Sequence, residues 1–248
     1  MANKAKNETK PADARAKIVD ALMELARERR FEDITIRDIC AAAGVSLADF
    51  RDSFPSKGAV LAGFSRRIDR AVLTQDSEEL ADESPRERLF DILMRRLEAM
   101  APYREGLRET AAWLRRDPAA ALAMNQTVLA SMRFMLEAAG IEAEHGAAGA
   151  IKLQGLAFAW ARIVGVWLDD DDPGLAKTMA ELDRELSRGE RAVATVDRLN
   201  DLASPFRALA AAALNARRNM RRRPQRARKD EAAGDLDQGG DEGEAPAA

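Results

Sequence analysis

The chain has 248 residues, a third of them charged and only 5% aromatic, with a formal net charge of −3. Its richness in Ala, Leu, Arg and Glu favours helix and argues against an all-β architecture. One cysteine and one histidine exclude an internal disulfide and a histidine-rich metal centre, and the near-neutral balance does not by itself announce a nucleic-acid binder.

Charge is unevenly distributed. Residues 1–75 hold 14 Lys and Arg against 11 Asp and Glu, and "RRNMRRRPQRARK" (217–229) holds eight basic residues and no acidic one. Local patches of this kind point to polyanion or membrane-surface contacts. The N-terminus "MANKAKNETKPADARAK" lacks the apolar stretch of a signal peptide, so a cytoplasmic protein is expected. Residues 1–12 read as a flexible arm.

The first helix is predicted over 13–29, with Ile18, Leu22, Leu25 and Ala26 on one face. In "ITIRD", Thr35 is expected to cap a short helix, Ile36–Ala43, with Asp38 three positions on. Gly44 then supplies the left-handed turn. Ser46 caps the next helix with Asp49 as its partner, and Phe54-Pro55 ends it, because the residue before proline is pushed out of the helical region. Ser56 caps a fourth helix carrying Val60, Leu61, Phe64, Ile68 and Val72.

A larger part begins at "ESPRERLFDILMRRLEAM", where Ser84 caps, Pro85 takes the first helical position and Glu87 completes the capping box. Further helices are predicted over "PYREGLRETAAWLRR", from Asp117-Pro118 to about Ala139 with Gly140 as the stop, and over 147–168. The last of these holds the most apolar run, "LQGLAFAWARIVGVWL". Interrupted by Gln154 and Arg162, it falls short of the ~18–20 residues of a bilayer span and reads as a buried helix. His145 reads as a solvated residue at its start. "DDDDPG" breaks the chain, with Asp172 expected to cap a long amphipathic helix from Leu175 to about Leu202. Four consecutive carboxylates diverge around such a turn, so capping explains Asp169–Asp172 more economically than a metal. Ser204-Pro205 starts a final Ala-rich helix that runs into the basic cluster, and 224–248 reads as a disordered charged tail.

The expected architecture is all-α, with roughly nine or ten helices. A helix-turn-helix head over 13–75 sits on a larger helical bundle over 84–223. Residues 15–64 resemble the DNA-binding domain of the TetR family of transcriptional regulators. The resemblance rests on "RAKIVDALMELARERRFEDITIRDICAAAGVS", Phe54 and "SKGAVL" at their fixed spacing. It implies a homodimer that binds double-stranded DNA at a pseudo-palindrome and acts as a ligand-responsive repressor. It also implies phosphate contacts by Thr35 and Lys57 and base reading by the helix from Leu47 to Ser53.

The residues expected on DNA are Thr35, Arg37, Ser46, Leu47, Ala48, Asp49, Arg51 and Lys57. Here the sequence departs from the family pattern. Arg51 replaces the usual aromatic, Ser53 the frequent histidine, and Asp49 and Asp52 bring negative charge. Arg51 can salt-bridge a phosphate or fork onto guanine. Asp49 is either the capping partner of Ser46 or an acceptor for cytosine N4, and a third possibility is that the carboxylates repel DNA. Cys40 reads as packing, with redox sensing the weaker option.

In the larger part, Ala157, Ala161 and Gly165 stand at i+4 steps. Such small residues suit a dimer seam or internal packing equally. Trp113, Gln154 and Trp160 are the candidate lining of a pocket for a small apolar or lipid-like effector. The stretch "WLDDDDPGLAKTMAELDRELSRGER" is similar to the COQ9-like proteins of ubiquinone biosynthesis, which themselves have a TetR-like fold. That likeness implies the competing function, a lipid-binding accessory protein with a vestigial helix-turn-helix. Peripheral membrane contact would then run through the basic C-terminal helix. No cofactor is expected. No paired acid and base, phosphate-cradling glycine loop or metal cluster stands out, so an enzyme is not expected.

Overall fold

The computed structural model describes residues 11–75, 82–142 and 146–195, and every regular element among them is helical. In chain order these are α1 (Pro11–Glu28), a 3-10 turn (Phe31–Asp33), α2 (Ile36–Ala43), α3 (Leu47–Ser53), α4 (Lys57–Leu73) and α5 (Pro85–Met100). A second 3-10 turn (Ala101–Tyr103), α6 (Arg104–Arg116), α7 (Pro118–Ala138) and α8 (Gly146–Leu168) come next, and α9 runs over 176–195. His145 and the basic segment 205–223 lie outside the described residues. The chain divides into two units, 1–193 and 194–248, and the packed core belongs to the first.

Local chemistry sets the helix ends. The expected capping boxes form at Thr35 with Asp38, Ser46 with Asp49, and Ser84 with Glu87, the last with Pro85 at the start of the helix. Each box satisfies amide donors that the first helical turn leaves without partners. Gly44 takes φ 64° after α2 and Gly140 takes φ 70° after α7, both in the left-handed region that glycine enters without strain.

The head is α1 to α3 with the first half of α4. Ile18, Leu22, Phe31, Ile34, Ile39, Phe50, Phe54 and Val60 are all at most 2% exposed and form its core. That core continues into the body without a break, through Phe64, Ile68 and Val72 of α4 to Leu89, Leu93 and Leu97 of α5, and on to Met132, Met135, Ile163 and Trp167. Against α1, α6 packs so closely that a Cβ on Gly106 would lie 2.5 Å from the Met23 carbonyl oxygen. Only glycine permits that crossing.

The polar interior of the body is non-local. Asp69 of α4 is ion-paired with Arg96 of α5. It also accepts the Ser131 hydroxyl of α7 at 2.6 Å, while Arg96 donates to Ser65 at 3.1 Å. The Arg96 guanidinium lies 5.4 Å from the centre of the Trp160 ring. Burial pushes its pKa down, against the pull of Asp69. A network of this kind is destabilising if any one partner is removed.

The structure refines the reading of α8 and of the acidic turn before α9. With 23 residues, α8 is long and apolar enough to cross a bilayer by composition, contrary to the shorter run inferred from sequence. In this fold its inner stripe, Leu153, Ala157, Trp160, Ile163 and Trp167, is buried. Ala157 therefore belongs to the core, while Ala161 is exposed and Gly165 half-buried, so the three small residues do not share one surface. In the acidic turn, Asp172 does accept the amides of Gly174 and Ala176, at 3.1 Å each. The buried carboxylate is Asp170, which takes both the amide and the hydroxyl of Thr178, at 2.9 and 2.7 Å. Among the described residues no group of three His, Cys, Asp or Glu is placed to hold a metal ion.

Candidate nucleic-acid interface

Two buried rings anchor α3. Phe50 and Phe54 are each 2% exposed, with centroids 6.4 Å apart. With that side of the helix facing inward, Leu47, Ala48, Arg51 and Asp52 are left exposed, as helical periodicity requires. The turn at Gly44 separates α3 from α2, giving the helix-turn-helix arrangement.

The two aspartates have different surroundings. Asp49 accepts the Ser46 amide at 3.0 Å and the Ser46 hydroxyl at 2.6 Å, and its own amide donates back to Ser46 Oγ at 3.1 Å. Its carboxylate thus closes the N-terminus of α3. Asp52 is exposed on the outer face beside Arg51.

Thr35 and Lys57 are already engaged within the chain. The Thr35 hydroxyl donates to Asp38 at 2.7 Å and accepts the Asp38 amide at 3.1 Å. The Thr35 amide, at 2.9 Å, and the hydroxyl hold Asp38 below the usual carboxylate range. Lys57 reaches inward. Its ammonium donates to the carbonyls of Phe31, at 2.5 Å, and Ile34, at 2.8 Å, and lies 4.5 Å from the centre of the Phe31 ring. Partial burial lowers its pKa, opposed by Glu32 and Asp33. This lysine ties α4 to the turn before α2, a role that its sequence position beside a serine cap does not disclose.

The cations that stand outward are Arg37, in the first turn of α2, and Arg51. Sequence reasoning passes over Arg15. Its guanidinium lies 4.6 Å from the Phe54 ring centre, so α1 brings a third exposed arginine to the end of α3. The signal is only a basic residue on the outer side of an amphipathic helix; its placement beside α3 is tertiary.

Cys40 is buried, with Sγ 3.9 Å from the Ser46 carbonyl. Burial raises its pKa, with the Asp49 charge adding to the effect. Such a thiol packs and is a poor nucleophile.

The three residues expected around an effector each have a different neighbour. The Trp113 ring stacks on Phe31 of the head at 4.3 Å. Gln154 exchanges two hydrogen bonds with Asn125 of α7, at 2.9 and 3.1 Å. Trp160 is buried beneath Arg96. Trp113 therefore belongs to the contact between head and body. There Glu109 accepts the Phe31 amide at 3.4 Å, and Arg116 bridges Glu32 and Glu109 at 3.2 and 3.1 Å.

No protein-family model matches the chain, and comparison with curated proteins finds no match. Solved structures do match. A TetR transcriptional regulator from Nitrosomonas europaea shares 23% identity over 71% of this chain and 97% of its own, with a TM-score of 0.56. A TetR transcriptional regulator from a Rhodococcus species shares 19% identity over 72% of this chain and 96% of its own, with a TM-score of 0.51. At these identities the likeness is one of fold: the chain has a TetR-like fold, an all-helical body carrying a helix-turn-helix head.

Proposed function

We propose that this protein is a sequence-specific DNA-binding regulator of transcription that works as a homodimer. The observation that carries the reading is the outer face of α3. It is exposed over Leu47, Ala48 and Arg51, closed at its start by a satisfied capping box and fixed from beneath by Phe50 and Phe54. A helix so held, coming after a tight turn, can enter the major groove as a rigid body. Arg51 is the base-reading cation on that face, and Arg37 and Arg15 flank it for phosphates. Ser46, Asp49, Thr35 and Lys57 shape the interface, so Asp49 is compatible with DNA because its carboxylate is engaged in the cap. Asp52 remains a local repulsion that the three arginines offset.

The dimer is proposed to form across α8. Ile151 and Phe158 are 60% and 67% exposed there, and a Cβ on Gly155 between them would meet nothing within 4 Å. A second helix can approach such a strip closely, and burying it removes apolar area from water. Two heads related by that twofold axis would read half-sites about one helical turn apart, on the order of 34–36 Å, or a multiple of that. Repression in response to a ligand is the regulatory mode we assign, with the effector bound in the body.

The test is selection of genomic fragments by the purified full chain at near-physiological salt, where sequence-independent attraction to phosphate is weak. Enrichment of one shared pseudo-palindrome is the expected result, and the genes beside it would indicate the effector's chemical class. A folded dimer that enriches no fragment overturns the reading.

A further inference from the structure

The outer face of α3 opens on two apolar residues, Leu47 and Ala48, where a DNA-reading helix most often carries donors and acceptors. Leu47 is 57% exposed, the most exposed large apolar side chain between residues 11 and 75. A single leucine on a surface is ordinary. This one belongs to a continuous shallow hollow, lined by Ile36 of α2, by Leu47, Ala48, Phe50 and Phe54, and by Pro55, with Arg51 at its rim. Neither capping nor core packing accounts for Leu47. Ser46 and Asp49 close the helix end, and Phe50 and Phe54 supply the anchors.

The occupant must suit both an apolar hollow and an adjacent cation. In the major groove the apolar group on offer is the C5 methyl of thymine, and the group that best matches an arginine fork is guanine, through O6 and N7. Leu47 and Arg51 are four residues apart, so they lie on one side of the helix about 6 Å from each other along its axis. Laid along the major groove, that separation spans roughly one to two stacked base pairs.

We infer that each half-site carries a thymine whose methyl group enters the hollow at Leu47 and Ala48, followed within two base pairs by a guanine held by Arg51. The specificity of this protein is then set by an apolar contact as much as by a charged one. Ala48 adds to the contact because its small side chain leaves the methyl room beside Leu47.

The inference rests on the DNA-reading function proposed above, and the experiment separates the two. Full-length protein is titrated at fixed salt against its selected operator and against operators in which uracil replaces thymine, one symmetric pair of positions at a time. Uracil pairs like thymine and lacks only the methyl. At one such position the wild-type affinity should fall about fourfold per methyl, or ~15-fold for the two half-sites together. Leu47→Ala should bind the thymine operator more weakly by a similar factor and show no preference for thymine over uracil there. Because Leu47 is exposed, the variant should keep the wild-type circular dichroism and melting temperature, so a folding defect does not enter. Replacing the neighbouring guanine by 7-deazaguanine should weaken wild-type protein and leave Arg51→Ala unaffected.

If an operator is selected but uracil is neutral at every position, or Leu47→Ala keeps the full thymine preference, the methyl contact is wrong and the regulatory reading stands. If no operator is selected, both fall together.

Discussion

In the head, the polar side chains that close α2 and α3 find partners three residues away, Thr35 with Asp38 and Ser46 with Asp49. In the body, Asp69 meets Arg96 27 residues on and Ser131 62 residues on, and Arg86 meets Asp183 across 97. The first kind of contact shapes a surface without depending on the rest of the molecule. The second kind ties α4, α5 and α7 together, so a disturbance in one helix is felt in the others. The start of α3 is thus set by contacts within one turn of chain, whereas the core beneath the head runs on into the body without a break. The seam between them runs through Gly106, Trp113, Glu109 and Arg116 of α6.

Breaking the buried network gives the largest effect expected on stability. Arg96→Ala leaves the Asp69 carboxylate buried without its cation and should destabilise the protein by about 3–5 kcal/mol, read as a lower urea midpoint. Arg27→Ala removes an exposed pair with Glu24 three residues away and should stay within ~1 kcal/mol. Equal losses would contradict the contrast between local and non-local contacts.

At the seam, Gly106→Ala brings a Cβ against the Met23 carbonyl and should cost about 1–3 kcal/mol. It should also weaken operator binding beyond that loss, because α1 carries the head. Unchanged binding would show that the crossing matters for packing alone.

Smaller again is Asp49→Ala, which removes the cap partner of Ser46 and should cost about 1 kcal/mol. Asp49→Asn retains an acceptor at the same place and should leave both stability and operator sequence nearly unchanged. A shifted operator for the asparagine variant would mean that Asp49 reads a base after all.

The smallest effect concerns pH. Hydrogen bonds from Thr178 hold Asp170 below the usual carboxylate range. A lowered folded pKa means that its stabilising contribution is complete above the unfolded value and is lost as pH falls through the folded one. Asp170→Asn should therefore lower stability most at neutral pH and flatten the acid limb, the two proteins converging as pH falls through the folded value. An unaltered acid limb would show that the Asp170 carboxylate contributes nothing to acid sensitivity.

Legibility obeys the same division. The caps at Thr35, Ser46 and Ser84 and the glycine turns at 44 and 140 are readable because each is decided by residues within one turn of chain. The inward course of Lys57 is not, since its acceptors are carbonyls 23 and 26 residues earlier. The surroundings of Trp113 and Ala157 are not legible in the sequence for a similar reason. Which neighbour a tryptophan stacks on, and which stripe of an apolar helix faces inward, depends on helices far away in sequence. Among four consecutive aspartates, only the fold selects Asp170 for burial against Thr178. The outer face of α3 can be outlined from sequence, but Arg15 and the hollow beside Leu47 require α1 and α2 to be in place.

The decisive comparison sets wild-type protein against Arg51→Ala on the selected operator and on a scrambled duplex of the same composition, at one salt concentration. Wild-type protein should prefer its operator by a factor of about 10³ or more. The variant, equally stable, should lose about 1–3 kcal/mol of that preference per half-site while its affinity for the scrambled duplex changes little. A variant that discriminates as well as the wild type would contradict the assignment of α3 as the reading helix and of Arg51 as its cation.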